Sequence, residues 1–390
     1  MHRITAAQID GWRHRFIDRR RMMAGTAVAS AAMVAARAGS VFAATPEASP
    51  TAAPEGTPFS GNIVRNPWEP VWSAEPPFFT LIDRNPENAV IKTIGDGLVE
   101  APANAARIFS ASGEEDVFLA LGQESRLVGL VADGSETIYT NQTIVDERLP
   151  LADLATYPSQ WEPNLEIVLG AKPDLIVGSS PYMISDELYP QFAQVAPTVR
   201  YPSVTFIYPR QAVHDYGILL GVEDAATEAL ASYNATMQRA RELVGPVVGD
   251  AEVLVAWYQG EGMFVVYTAW TRAADGRIEV SSSDNAPYHF ELGLRSPDAI
   301  EAQADEDRSQ SYLELSIEQL GQVPTDWMFM LGDPAQIEDE VLSSPLIQRM
   351  PSFVADQVVV VDGNADTGLG YYGNLARVAM AMELFTGESL

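Results

Sequence analysis

The sequence predicts an α/β protein made of two β/α lobes that a single long helix joins. Three observations support this class: a carboxylate motif that occurs twice, strands that alternate with helices around each copy, and a long amphipathic stretch between the copies. The chain has 390 residues, which exceeds the size at which one apolar core keeps growing. More than one lobe is therefore expected.

The repeated motif predicts two equivalent surfaces. In both copies an apolar residue precedes a glutamate (Glu166, Glu318), an aspartate follows eight residues later (Asp174, Asp326), and a continuous apolar run comes directly after it. Each copy predicts a short helix that leads into a buried parallel strand. Two similar lobes would then each present one glutamate at a helix start, which suits a partner with two-fold symmetry.

Short strands and helices alternate around both copies. In residues 89–220, the N-terminal lobe, strands are predicted at 90–94, 97–99, 107–110, 127–131, 175–177 and 198–199, and helices at 114–121 and 186–194. In residues 247–390, the C-terminal lobe, strands are predicted at 252–257, 263–267, 327–329 and 358–361, with a final helix at 374–385. Strand ends and loops of two such sheets would line a cleft between the lobes.

Residues 221–246 predict the helix that links the lobes. Its apolar positions recur at intervals of three and four, which places them on one stripe: Ala226, Leu230, Tyr233, Met237, Ala240 and Val244. Glu223 and Asp224 suit its first turn, and Gly245-Pro246 is expected to end it. One stiff helix limits hinge motion more than flexible strands would. The alternative is a helix inside one large α/β domain.

The first 88 residues predict an exported protein. Residues 1–43 hold an arginine cluster before the apolar stretch 22–36, which is short for a membrane span. The Arg19-Arg20-Arg21 junction resembles a twin-arginine signal peptide, and cleavage is expected after Ala43. Residues 44–88 predict a flexible Pro/Ala-rich tether and an extended arm. We therefore expect the protein in the periplasm or on the outer face of the cytoplasmic membrane.

Charge and composition exclude several partners. The formal net charge is −29, and outside the basic leader the chain carries 17 basic and 51 acidic side chains. Such a surface repels nucleic acid and anionic headgroups, so neither is an expected partner. No cysteine is present, which excludes disulfides, thiolate metal sites and thiol catalysis, and no lipidated cysteine is expected.

The chain resembles the substrate-binding proteins of ABC importers for iron-siderophores, haem and cobalamin. The resemblance covers about residues 89–390 and is carried by Arg107-Ile108-Phe109-Ser110, Ala120-Leu121-Gly122, residues 163–178, the linking helix and the Glu318 motif. It implies a periplasmic-binding-protein fold, with Rossmann-like lobes on a helical backbone. It also implies a receptor without catalytic residues or an intrinsic cofactor, expected as a monomer.

In that family one glutamate per lobe forms salt bridges with arginines on the two halves of the permease. The resemblance therefore implies that Glu166 and Glu318 dock an ABC permease, since charge-assisted pairs orient partners and remain reversible. For either glutamate alone, an ordinary carboxylate at a helix start is the alternative.

Six aromatic residues are candidate ligand contacts because they fall where the cleft loops are expected: Trp161, Tyr182, Trp257, Tyr258, Tyr371 and Tyr372. Their rings and phenols suit a bulky, partly apolar metal chelate, although each alone is compatible with packing. The family's binders of anionic siderophores commonly place arginines in the cleft, where this chain has Trp257-Tyr258. We therefore expect a ferric siderophore of the hydroxamate kind, with a corrinoid or haem as alternatives. Arg272, Arg295 and Arg377 could still reach the cleft.

An extracytoplasmic enzyme or sensor that uses the same cleft is the remaining alternative. Residues 368–373 match G-x-G-x-x-G between a strand and a helix, but a linker separates strand from motif and no later strand could supply a ribose-binding acid. Outside the leader only His214 and His289 could act as bases or metal ligands, and His214 is not expected to face Asp215. Two separate histidines also argue against direct zinc or manganese capture. The sequence favours binding without a chemical step.

Overall fold

The computed structural model describes residues 78–388, apart from 94–95, 135, 138–139, 160–161, 180–182, 202–204, 206, 273–277, 281–283, 305–311 and 363–367. The predicted signal peptide, its cleavage site at Ala43 and the predicted tether as far as residue 77 lie outside the described residues. No described helix is both long enough and apolar enough to cross a membrane.

The strands of the N-terminal lobe form two sheets. One is antiparallel, in the order β1 (Phe79–Arg84), β2 (Asn88–Thr93), β3 (Gly97–Pro102). The other contains β4 (Ile108–Ser110), β5 (Leu127–Asp133), β6 (Glu136–Thr137), β7 (Ala155–Tyr157), β8 (Leu175–Ser179) and β9 (Thr198–Tyr201). Its parallel strands follow the order β7-β5-β4-β8-β9, and β6 pairs antiparallel with β5. Burial of such strands on both faces explains the continuous apolar runs.

Five helices belong to this lobe: α1 (Glu115–Ala120), α2 (Gln142–Arg148), α3 (Leu165–Ala171), α4 (Tyr189–Ala193) and α5 (Pro209–Leu220). Short 3-10 turns occupy Glu124–Arg126 and Leu151–Asp153. The predicted alternation of strands and helices is confirmed, although α4 is shorter than the helix expected at residues 186–194.

Regular structure begins at β1, before the predicted lobe boundary at residue 89. Phe79 is fully buried, and its ring centroid lies 5.4 Å from that of Tyr201 and 6.0 Å from that of Tyr216. β1 also pairs with β2, so the described end of the predicted arm belongs to the N-terminal lobe. The sequence could not show this because the aromatic partners of Phe79 lie more than 100 residues later in the chain.

The linking helix is α6 (Glu223–Val248), which at about 1.5 Å per residue is roughly 39 Å long. Its predicted apolar stripe is confirmed: Ala226, Tyr233, Met237, Ala240 and Val244 are buried and Leu230 is partly buried against them. The helix does not end at Gly245-Pro246. The last turn continues past the proline to Val248, and Gly249 caps it by donating its N–H to the Gly245 carbonyl at 2.9 Å.

The C-terminal lobe contains one main sheet in the order β14-β11-β10-β15-β16, with a separate ribbon of β12 and β13. The strands are β10 (Val253–Gly260), β11 (Met263–Tyr267), β12 (Trp270–Arg272), β13 (Ile278–Val280), β14 (Tyr312–Ser316), β15 (Trp327–Gly332) and β16 (Val358–Asp362). β10, β15 and β16 are parallel, whereas β11 is antiparallel to both β10 and β14.

The helices of this lobe are α7 (Asp298–Ala304), α8 (Ile317–Leu320), α9 (Pro334–Gln336), α10 (Pro351–Val354) and α11 (Gly370–Thr386). Ala286–Glu291 and Ile337–Leu342 are π-helical, and Ile347–Arg349 is a 3-10 turn. The last helix begins four residues before the predicted start at residue 374, which changes the placement of Tyr371 and Tyr372.

The largest apolar cluster joins the two lobes. It contains Leu175 and Val177 from β8, the buried stripe of α6, Val253 and Val255 from β10, and Val378 from α11. Each lobe also has a cluster of its own on the other face of its sheet. Two separate sheets therefore share one packed spine of helices, and that spine opposes large hinge motion.

Candidate functional site

The carboxyl ends of the parallel strands form one edge of each sheet. In the N-terminal lobe the chain order reverses at β4, which lies between β5 and β8. Open α/β sheets form a crevice at such a point, outside the carboxyl ends of the strands. Ser110 ends β4 and Ser179 ends β8 at this edge. In the C-terminal lobe Trp257, Gly332 and Asp362 lie at the corresponding edge.

The loops that follow these two edges touch each other at Gly368. A Cβ atom on Gly368 would lie 2.3 Å from the backbone nitrogen of Asn141 in the N-terminal lobe, and Gly368 has a φ of +62°. Only glycine accommodates both the close approach and this backbone conformation without strain. The contact closes one side of the inter-lobe cleft, which we take as the candidate binding site.

Asp116 fixes the start of α11 from the opposite lobe. Its carboxylate accepts the backbone N–H of Tyr371 at 2.6 Å and that of Tyr372 at 3.2 Å. These are N–H groups that the first turn of a helix leaves without an intrahelical partner. The helix end therefore already holds a carboxylate from its own chain, which removes the phosphate-binding role that the G-x-G-x-x-G pattern would require.

Three consecutive acidic residues, Glu114, Glu115 and Asp116, are buried behind the carboxyl edge of β4. Glu114 accepts hydrogen bonds from the Ser110 hydroxyl (2.9 Å), the Ser112 N–H (3.0 Å) and the Ser179 hydroxyl (3.1 Å). Glu115 accepts one from the Thr140 hydroxyl at 3.0 Å. The sequence predicts these acids only as the start of the helix at 114–121, and no periodicity in the segment indicates their burial.

Burial changes the protonation of this acidic cluster. Desolvation, reinforced by the charge of Glu115, raises the pKa of Glu114 to about 7, and desolvation raises that of Asp116 to about 7. The pKa of Glu115 is also raised by desolvation. Hydrogen bonds from the serines, Thr140 and the N–H groups of α11 oppose these shifts. Near neutral pH these three buried acids therefore carry less negative charge than three ordinary carboxylates would.

The neighbours Trp257 and Tyr258 lie on opposite faces of β10, because side chains alternate along a strand. Trp257 is half-buried and packs with the cluster that joins the lobes. Tyr258 is buried in the C-terminal lobe's own cluster, 5.0 Å from Phe264 by ring centroids. Its hydroxyl accepts the Gly262 N–H at 3.1 Å and donates to Glu340. Trp257 lies near the carboxyl edge of the sheet, and its contact with a ligand stays a prediction, whereas the Tyr258 ring is used in packing.

Tyr371 and Tyr372 do not lie in a loop, as the sequence suggested, but in the first turn of α11. Tyr371 is buried, and its hydroxyl donates to the Ala229 carbonyl at 2.9 Å. The Tyr372 hydroxyl accepts from Arg148 at 2.9 Å and donates to the Leu119 carbonyl at 3.3 Å. The Tyr371 side chain therefore holds α11 against the linking helix, and the Tyr372 side chain holds it against the N-terminal lobe. Trp161 and Tyr182 lie outside the described residues.

The arginines considered for the cleft are engaged elsewhere. Arg377 is buried and pairs with Asp284 at 3.2 Å. Arg295 pairs with Glu252 at 3.1 Å and with Asp298, at the amino end of β10 and so away from the cleft edge. Arg272 lies in β12, and its side chain is outside the described part of the structure.

Two further arginines, at the end of β9 and at the start of α5, are also paired with carboxylates. Arg200 on β9 pairs with Asp96 and, at 2.8 Å, with Asp186. Arg210 bonds Glu291 through two nitrogens, each at 2.6 Å. Carboxylate partners are thus present for four described arginines: Arg377, Arg295, Arg200 and Arg210.

His214 contacts Asp215, contrary to the sequence expectation. Its Nδ1 lies 2.9 Å from Asp215 Oδ1, and this bond raises the pKa of His214. Asp215 is fully buried and also accepts the Phe78 N–H at 3.0 Å. The pair therefore secures the start of β1. The described residues contain no group of three His, Cys, Asp or Glu side chains that could hold a metal ion.

The glutamates of the repeated motif occupy the same helical position in the two lobes. Glu166 and Glu318 are each the second residue of a helix and are exposed. Asn164 caps the first helix by accepting the Glu166 N–H at 3.1 Å. Ser316 caps the second by accepting the Gln319 N–H at 3.3 Å, and Gln319 accepts the Ser316 N–H in return at 2.8 Å.

Both of these helices begin at carboxyl edges. α3 follows β7 and leads to the start of β8, and α8 directly follows β14, which runs parallel to β10 because both are antiparallel to β11. The two glutamates therefore lie at the sheet edges that border the cleft. The Glu318 carboxylate forms a hydrogen bond with the Ser316 side chain. This bond lowers the pKa of Glu318 and keeps the carboxylate ionised.

Comparison with known proteins gives a consistent result. A sequence model of the family described as "Periplasmic binding protein" matches residues 111–365, more than half of the chain. The Fe(3+)-citrate-binding protein YfmC of Bacillus subtilis (strain 168) is 25% identical over 230 residues, which span 57% of this chain and 63% of that relative. The chain thus matches less than two thirds of that relative's length.

Solved structures share the fold. The triscatecholate siderophore binding protein FeuA from Bacillus subtilis, complexed with ferri-bacillibactin, is 18% identical with a TM-score of 0.58, covering 75% of this chain and 97% of that one. Staphylococcus aureus SirA complexed with staphyloferrin B is 20% identical with a TM-score of 0.58, covering 76% and 97%. Since these two proteins hold different ligands, the shared fold does not determine which ligand is bound.

Proposed function

The chain belongs to the periplasmic binding protein family, and on that basis we propose that it is the extracytoplasmic receptor of an ABC importer, which captures a ferric siderophore and delivers it to the permease. The observation that carries the proposal is the pair of exposed glutamates at equivalent capped helix starts, one on each side of the cleft. The protein acts by binding and performs no chemical step. Export through the predicted leader, and action as a monomer, are parts of the same proposal.

The paired arginines support a neutral or cationic ligand. An anionic tricatecholate would need cations in the cleft, and taking Arg377, Arg200 or Arg210 from its carboxylate partner would leave a charge unpaired. A ferric hydroxamate requires no such exchange, and the half-buried Trp257 offers it a ring face. We therefore favour a hydroxamate-type chelate, bound by Trp257 together with Trp161 and Tyr182. In this proposal Tyr258, Tyr371 and Tyr372 support the site through packing.

Competition binding tests this ligand class. We expect ferric desferrioxamine to bind at least tenfold more tightly than a ferric tricatecholate, measured by titration of the purified protein with each chelate. Haemin and hydroxocobalamin belong in the same panel, because a receptor for haem or a corrinoid is the alternative. Tighter binding of the tricatecholate would overturn the preference, and binding of none of the four would count against a receptor for metal chelates.

Tryptophan fluorescence tests the position of the ligand. Adding ferric desferrioxamine is expected to quench the wild-type emission, and Trp257→Ala is expected to lose a large part of that quenching because Trp257 lies at the cleft edge. Trp327→Phe is the matched control, since Trp327 begins β15 at the opposite edge and packs on Phe385 with ring centroids 4.8 Å apart. Equal quenching in the two variants would place the ligand elsewhere.

A further inference from the structure

We propose that each lobe docks the permease through a two-part contact, a glutamate with a neighbouring leucine: Glu166 with Leu169, and Glu318 with Leu346. The partner would carry two equivalent surfaces, each with a cationic group bordered by apolar side chains. The inference rests on the proposed function for the identity of the partner. It adds an apolar contact residue in each lobe. Only the first copy of the repeated motif contains this residue in its own sequence.

In the N-terminal lobe the leucine lies on the same helix as the glutamate. Leu169 follows Glu166 by three residues on α3, and side chains three apart share one face of a helix. Val168 is the fully buried residue of this helix, whereas Leu169 is 60% exposed. An exposed carboxylate and an exposed leucine therefore lie side by side next to the cleft edge.

In the C-terminal lobe the corresponding position carries no side chain. The residue three positions after Glu318 is Gly321, so the repeat itself offers no leucine. A Cβ atom on Gly321 would lie 3.3 Å from the Cβ of Leu346, which reaches this place from a different part of the chain. Leu346 is 39% exposed. The fold thus restores beside Glu318 the apolar side chain that the sequence lacks there.

A further exposed apolar residue extends the surface around Glu318. Met263 is 39% exposed and lies in register with Ser316, the cap of the Glu318 helix. Single exposed leucines are ordinary on protein surfaces. The reason to assign a role here is that two unrelated chain segments place an apolar side chain at equivalent positions beside two equivalent glutamates.

The physical role of the leucines is to exclude water from the ionic contact. An ion pair at an open surface contributes little, because water screens it and holding the side chains costs entropy. Apolar neighbours that seal the contact lower the local dielectric and strengthen the pair, as seen around interface hot spots. The leucines also contribute apolar burial that salt does not weaken.

The dependence of membrane binding on salt concentration distinguishes the glutamate contacts from the leucine contacts. Binding of labelled protein to right-side-out membrane vesicles of the source organism is measured at 0.1 M and 1 M NaCl for Leu169→Ser/Leu346→Ser, for Glu166→Ala/Glu318→Ala and for wild type. The leucine variant is expected to bind about tenfold more weakly at both salt concentrations. The glutamate variant is expected to lose affinity at both salt concentrations, with the larger loss at 0.1 M NaCl, because salt also weakens the wild-type ion pair in part. Leu98→Ser/Val354→Ser is the control, since these residues are 67% and 74% exposed.

The outcomes distinguish this inference from the proposed function. If the leucine variant binds like the control while the glutamate variant is impaired, the leucine contacts are refuted and docking through the glutamates stands. If neither variant is impaired, docking through these surfaces fails as a whole. Unchanged affinity for ferric desferrioxamine and an unchanged melting temperature would show that the leucine variant remains folded.

Discussion

Replacing Glu166 and Glu318 together by alanine is expected to lower uptake at least a hundredfold while ligand affinity stays within twofold of wild type. Both side chains are exposed at helix starts beside the cleft, and the helices themselves are held by Asn164 and Ser316. Loss of one partner from a charge-assisted contact costs roughly 2 kcal/mol or more, so two losses exceed a hundredfold in affinity for the permease. Transport of ⁵⁵Fe-labelled desferrioxamine into cells that lack the native receptor measures the effect.

A matched variant removes the same charge elsewhere. Glu187 and Glu228 are exposed acids on the N-terminal lobe and the linking helix, and Glu187→Ala/Glu228→Ala should transport like wild type. Because the control also reduces the net charge by two, any difference between the double variants reports position and not charge. If the Glu166/Glu318 variant instead loses ligand affinity, both glutamates belong to the ligand site and their docking role is wrong.

Glu114→Gln is expected to stabilise the protein at pH 8 by roughly 3 kcal/mol. The wild-type carboxyl is fully buried, and its pKa is raised from 4.5 to about 7. A glutamine fits the same bonds, because its carbonyl can accept from Ser110 and the Ser112 N–H while its amide donates to the Ser179 hydroxyl, which now accepts. The substitution thus removes an ionisation without leaving a buried polar group unpaired.

The pH dependence has a definite sign. A carboxyl whose pKa is higher in the folded state takes up a proton on folding, so its favourable contribution is complete below pH 4.5 and is lost as the pH rises through about 7. The wild-type free energy of unfolding should therefore fall over this window more steeply than that of Glu114→Gln. Urea unfolding at pH 4.5, 6, 7 and 8 measures both slopes, with the exposed Glu187→Gln as the control. Equal slopes for wild type and Glu114→Gln would contradict the assignment.

Several elements follow directly from sequence periodicity. The apolar stripe of α6 identified the linking helix, because burial on one face of a helix imposes a repeat of about 3.6 residues. The duplicated apolar runs identified β8 and β15, and the residues before them identified the capped helices of Glu166 and Glu318. In each case the signal lies within about 25 consecutive residues.

Other features depend on residues far apart in the chain. The early start of α11 requires Asp116, which lies 255 residues before Tyr371. The burial of Phe79 requires Tyr201 and Tyr216, and the surface beside Glu318 requires Leu346. Arg377 likewise pairs with Asp284, 93 residues earlier in the chain, so this cation is not free to bind a ligand.

The sequence by itself determined the α/β class, the linking helix and the equivalent placement of the two glutamates, because each is encoded in a local pattern of apolar and capping residues. Tertiary structure alone decided that the last helix is a second connection between the lobes, that three consecutive acids are buried, and that Tyr258 and Tyr371 pack instead of lining a loop. Burial and pKa depend on what the rest of the chain brings to a residue, and no local pattern encodes that environment.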